Sequence, residues 1–315
     1  MPSLEHHAAA KEIEAYVNKL LKLYKRDGSV AFSRLTSLIE TLWRQHIPSG
    51  LSAFFRECER FTAHLPDEMV FEGNFRQRNE KTDMAELRLF ARSGEVLQPH
   101  DGARLFRNGT KGLAIMLTRS NGAKRSTQWG EFFLWRALRE LGMSLLLMGD
   151  RQNLIFQQGF GEFYGRLGDG LKWIDMQLSP YDCAFFVGNS ASGFPALQFA
   201  ANTKACNALT YSAGTHFPNE EYRVVELKQR LQSRIVDRPL DVRPMLHNFR
   251  GAMHLHYPAQ HPVDILHAGH LADLPTARLI PHDTDFHPLF GITSSETFIE
   301  HIQALYRDPN FHRMR

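Results

Sequence analysis

Apolar residues recur along the chain with two different periods, and the change from one to the other divides it. In the first 66 residues the spacing is helical: Ile13, Tyr16, Val17, Leu20, Leu21 and Tyr24 share one face, and Leu35, Leu38, Ile39 and Leu42 share another. Asp27–Gly28 and Pro48–Gly50 read as breaks, and a third helix is expected over Leu51 to Ala63. From Glu68 extended runs alternate with helical ones. Met69, Val70, Phe71 and Phe75 predict a strand, Leu87, Leu89 and Ala91 its alternating partner, and the polar stretch GNFRQRNEKTD between them a solvated loop.

GLAIML (112–117), MSLLLM (143–148) and CAFFV (183–187) are unbroken apolar runs, too short for helices and bounded by polar residues. That is the pattern of strands buried on both faces. Helices are expected from Trp129 to Leu141, in a segment ending near Leu178, and after the turn at 188–193. Beyond them come a strand at NALTYSAG (207–214), a charged helix from Glu220 to Ser233, and a strand at AMHLHY (252–257). A helix through ILHAGHLAD, a last strand ARLIPHD and a helix from Ser294 to Tyr306 close the chain. Repeated strand–helix–strand units predict an α/β domain over 67–315, with a mostly parallel central sheet flanked by helices. Residues 1–66 form an N-terminal helical extension, expected to pack on that domain or to dock a protein partner.

Composition narrows the setting. A hydrophobic fraction of 43% and a charged fraction of 23% over 315 residues suit a soluble protein with a large core. The formal charge of +3 makes no strong electrostatic claim on nucleic acid or an anionic membrane. No uncharged run is long enough to span a bilayer, and the amphipathic, acid-containing start is unlike a secretory signal. Cys58, Cys183 and Cys206 are too few for a disulfide scaffold, so reduced thiols and a cytoplasmic location are expected.

The chemistry concentrates at Tyr181–Ala201, where the buried run ends in the turn Gly188-Asn189-Ser190-Ala191-Ser192-Gly193 and a helical pattern follows. Small residues two places either side of Ser190 give the spacing of a nucleophile elbow, with Ser192 where glycine is usual. A dinucleotide fingerprint would need glycine at 190, and a phosphate-binding loop would need lysine and a hydroxyl residue where Phe194 and Pro195 stand. A plain serine in a strand-to-helix turn is the remaining alternative.

The alternation of elements, the serine elbow in the middle, an acid after the penultimate strand and a histidine after the last resemble the α/β-hydrolase superfamily over roughly residues 68 to 310. GNSASGFPALQFAA, YSAGT, HYPAQHPVDILHAGHLADLP and ARLIPHDTDFH look, more narrowly, like a branch associated with bacterial surface-glycan biosynthesis. The resemblance implies Ser190 as nucleophile, His287 as its base and Asp264 as the acid that orients the base. His282 rivals His287, and Asp273, Asp283 and Asp285 rival Asp264. It also implies oxyanion donors on the backbone of Ala191 and of the loop after GLAIML, at Ser120; Arg119 beside it is a candidate for an anionic substrate. The implied activity is ester hydrolysis on a small molecule or an acylated glycan. Acyl transfer to a glycan or small-molecule hydroxyl, or a non-catalytic binding role, are the alternatives. No cofactor is called for. His254, His256, His261, His267 and His270 form pairs at strand and helix spacing, but without a cysteine pair or an HExxH signature no metal is expected either.

Overall fold

Side chains at 113, 115 and 117 point to one side of a strand and those at 114 and 116 to the other, so a run apolar at every place needs cover on both sides. The computed structural model supplies it. It describes residues 4–31, 34, 51–75, 78–97, 103–119, 130–150, 156–157, 159–205, 207–217, 240–287 and 289–314. Leu113, Ile115, Leu117, Leu146, Met148, Ala184 and Phe186 enter one buried cluster. Ala114, Met116, Leu145, Leu147, Phe185 and Val187 enter the other.

The elements run α1 (Leu4–Asp27), β1 (Val30–Ala31), α2 (Leu51–Thr62), β2 (Val70–Phe75), β3 (Arg78–Asp83), α3 (Met84–Ser93), β4 (Gly94–Val96), β5 (Ala103–Phe106) and β6 (Leu113–Arg119). Then follow α4 (Gly130–Glu140), β7 (Ser144–Asp150), α5 (Leu167–Leu178), β8 (Ala184–Asn189), α6 (Gly193–Asn202), β9 (Ala208–Tyr211), β10 (His216–Phe217) and β11 (Leu240–Asp241). The chain ends through α7 (Arg243–Leu246), β12 (Met253–Pro258), α8 (Pro262–Gly269), β13 (Ala277–His282) and α9 (Ser295–Tyr306). The main sheet has eight strands in the order β13-β12-β9-β8-β6-β7-β5-β4. β6, β7, β8, β9, β12 and β13 pair in parallel; β5 is antiparallel to both β7 and β4. All six parallel strands therefore present their carboxyl ends along one edge, where α/β sheets hold ligands.

Three expectations are corrected. Leu87, Leu89 and Ala91 lie on α3, not on a strand, and β2 pairs instead with β3, inside the stretch read as a loop. The Asp83 carboxylate accepts the Glu86 N–H at 2.8 Å and caps the helix, and Met84, Leu87, Phe90 and Ala91 are buried at helical spacing. Leu89 is left 44% exposed. Within the region read as wholly helical, β1 adds two residues in parallel to β2. The pattern Leu35–Leu42 and the charged helix 220–233 fall outside the described residues.

The N-terminal helices are not separate from the sheet. Val17 and Leu20 of α1 and Phe55 and Cys58 of α2 join the cluster that holds Phe90, Phe106, Phe132 and Trp135. Phe55 meets Phe90 at 5.5 Å and Phe106 at 5.7 Å, edge to face. Buried Arg104 lies over the Phe55 ring at 3.9 Å and donates to the Ala91 carbonyl at 2.6 Å. Burial lowers its pKa to about 10. Among the described residues no helix is long and apolar enough to cross a membrane.

Candidate active site

β8 delivers Ser190 at its carboxyl end, and the next residues coil at once into α6. Ser190 has φ +53°, an uncommon left-handed conformation for a residue with a side chain. So sharp a reversal brings strand and helix backbones together. A Cβ on Gly188 would stand 2.4 Å from the Ser192 carbonyl oxygen, and one on Gly193 2.4 Å from Ala213 Cβ. Ser192 occupies the usual glycine place by folding its hydroxyl back: it accepts the Asn189 N–H at 3.2 Å and donates to the Asn189 carbonyl at 2.8 Å. The close approach is taken over by Gly193. Gly193→Ala is expected to destabilise the protein by about 1–3 kcal/mol, through overpacking against Ala213, and the urea midpoint measures it.

His287, after β13, reaches this turn with Nε2 2.8 Å from Ser190 Oγ. Asp264, in the first turn of α8 after β12, lies with Oδ1 at 3.0 Å and Oδ2 at 2.8 Å from His287 Nδ1. Its carboxylate is 1% exposed, against 26% for the His287 side chain. A carboxylate only accepts, so the proton sits on Nδ1 and the Nε2 lone pair faces the serine hydroxyl. Pro262 at the helix start and an acid in its first turn both suit a helix N-terminus.

Two further groups hold this arrangement, and neither was singled out as doing so from sequence. His261 Nδ1 lies 2.8 Å from Asp264 Oδ2 and 3.3 Å from the Asp264 N–H. His261 thus caps α8 by accepting the Asp264 N–H, and the Asp264 carboxylate has an imidazole on each side. Ser212, at φ +49° just past β9, donates its hydroxyl to the His287 carbonyl, while the Gly214 N–H donates to the Ser190 carbonyl at 3.0 Å. One strand end thus braces both the serine turn and the histidine loop. An unusual backbone at Ser212 and a pairing across three residues at His261 leave almost no mark in a sequence.

The rival groups are engaged elsewhere. Asp273 pairs with Arg243 at the surface, Asp283 accepts from Gln260 Nε2 at 2.6 Å, and Asp285 is exposed. His282 remains in β13 beside His256. His254 faces Asp308 at 3.0 Å, His270 faces Asp241 at 2.8 Å, and His267 Nδ1 lies 3.3 Å from the Thr215 N–H. Ala191 directly follows Ser190 in its 3₁₀ turn, where N–H groups lack an intrahelical partner. Ser120 lies outside the described residues. The β6–β8 register pairs Met116 with Val187, and continued for two residues it sets Thr118 level with Asn189. The carboxyl end of β6 therefore abuts the serine turn.

A serine hydroxyl, an imidazole and a buried carboxylate in line, at the carboxyl edge of a parallel sheet, can shuttle a proton off the hydroxyl as it attacks a carbonyl. Solved structures share the architecture. 2,6-Dihydroxy-pseudo-oxynicotine hydrolase is similar over 93% of this chain and 85% of its own, at 13% identity and a TM-score of 0.51. The fold is that of the α/β hydrolases. A structure assigned as a carboxylesterase from Lactobacillus plantarum is similar over 70% of this chain and 98% of its own, at 10% identity and a TM-score of 0.50. No protein-family model and no curated protein matches the sequence.

Proposed function

We propose that the protein is a serine hydrolase of small-molecule esters that works through an acyl-enzyme. The observation that carries this reading is the 2.8 Å contact between Ser190 Oγ, on a left-handed turn, and the Nε2 of a histidine whose Nδ1 is 2.8 Å from a buried carboxylate. Ser190 Oγ attacks the ester carbonyl carbon as its proton passes to His287 Nε2, and Asp264 stabilises the imidazolium. The negative charge that develops on the carbonyl oxygen is met by the Ala191 N–H and by a backbone donor from the residues that follow β6 in sequence, Ser120 first. When the tetrahedral intermediate collapses, the C–O bond to the alcohol breaks and His287 returns the proton to the leaving oxygen. Water then repeats the attack on the acyl-serine, losing its proton to His287, which hands it back to Ser190 as the acid departs.

A fluorophosphonate probe tests the reading because it needs an activated serine and no knowledge of the substrate. Stoichiometric labelling of the wild-type chain, absent in Ser190→Ala, is the expected outcome. A wild type that stays unlabelled would leave the fold as a non-catalytic binding scaffold, and a variant labelled equally would move the nucleophile away from Ser190. Product analysis with sugar hydroxyls present then separates hydrolysis from acyl transfer to a glycan.

A further inference from the structure

Away from Ser190 the fold gathers a second group of imidazoles, from three elements distant in sequence. His256 lies within β12, His282 ends β13 and His301 sits in α9, and one ring nitrogen from each lies within 4.8 Å of the other two. His256 Nδ1 and His282 Nε2 are 2.9 Å apart, and the His256 and His301 rings are 3.9 Å between centroids. His256 is only 1% exposed, and its Nε2 is buried with no hydrogen-bond partner. His254, His270 and His287 each face a carboxylate, whereas among the described residues this group contains imidazoles alone. His256 Nδ1 and His282 Nε2 share a hydrogen bond and His301 Nδ1 meets the Tyr211 hydroxyl, which still leaves the buried His256 Nε2 without a partner.

We propose that His256, His282 and His301 bind a divalent transition-metal ion of the zinc type. Imidazole is the donor such ions prefer among nitrogen and oxygen ligands. Zinc–nitrogen bonds of about 2.0–2.1 Å in tetrahedral geometry set ligand nitrogens about 3.3 Å apart, inside the 4.8 Å that spans one nitrogen from each of the three rings. His301 Nδ1, 2.9 Å from the Tyr211 hydroxyl, can donate to it and so hold Nε2 as the metal-binding nitrogen. Three protein ligands leave a fourth place for water. The ion joins α9 to β12 and β13, the strands that lead to Asp264 and His287.

Titration of the chelator-treated full-length chain with cobalt(II) and zinc(II) tests this independently of any hydrolase activity. The expected result is one equivalent of cobalt with the visible absorption of a four-coordinate site, displaced by zinc, and a rise in Tm on zinc addition. His282→Asn and His301→Gln, both checked for native circular dichroism, are each expected to lose that equivalent; His261→Ala is expected to keep it. His282 is half-buried at a strand end, so its variant stays informative if the α9 variant does not fold. Absence of a saturable equivalent, or one that survives both substitutions or is lost with His261, overturns the assignment.

Discussion

Ser190→Ala is expected to lower kcat toward an activated aryl ester by about a millionfold, and adding His287→Ala is expected to cost almost nothing more. The two side chains act as a unit: without the hydroxyl no nucleophile remains to activate, and without the imidazole the hydroxyl stays protonated. The residual rate in each variant reflects binding and the backbone donors alone. Steady-state kinetics of the two single variants and the double variant make the measurement. Losses that multiply in the double variant would mean that the 2.8 Å contact between Oγ and Nε2 is not the route of the proton.

The second large effect falls on the acid. Asp264→Asn is expected to reduce kcat by about ten-thousandfold with little change in the fold. An asparagine amide can turn its NH₂ toward His287 Nδ1, which then accepts, so the ring proton moves to Nε2 and blocks the lone pair that Ser190 requires. Asp273→Asn removes only a surface partner of Arg243 and is expected to leave kcat near wild type. Equal losses in the two variants would overturn the role given to Asp264. His261 stands on the other side of the same side chain, and its Nδ1 accepts the Asp264 backbone N–H, a bond that the substitution leaves in place.

Much of this was readable from residue types. Unbroken apolar runs at 112–117, 143–148 and 183–187 announced strands covered on both faces, and they occupy the middle of the sheet. Ser190, Asp264 and His287, named from the family resemblance, lie together because strand ends at one edge converge. The errors arose where one pattern fits two periods. Leu87, Leu89 and Ala91 alternate, yet Met84, Leu87, Phe90 and Ala91 also lie on a helical face, and the Asp83 cap decides between them. β4 and β5 escaped notice because one has three residues and the other carries Arg104 in its middle, a charge whose Phe55 and Ala91 partners lie elsewhere in the chain. The imidazole group escaped for the same reason. Sequence spacing joins His256 to His254 two residues away, whereas the fold joins it to His282 and His301.

Phe55, wedged between two other phenyl rings with a guanidinium on its face, has a bearing on how the chain could be divided. A polypeptide beginning at residue 67 would keep every side chain of the serine turn and the histidine loop, yet it would uncover the Phe90 and Phe106 rings and the Arg104 guanidinium that Phe55 packs against. Such a fragment should precipitate rather than function on its own. The leading helices thus supply part of the core that the sheet shares with them.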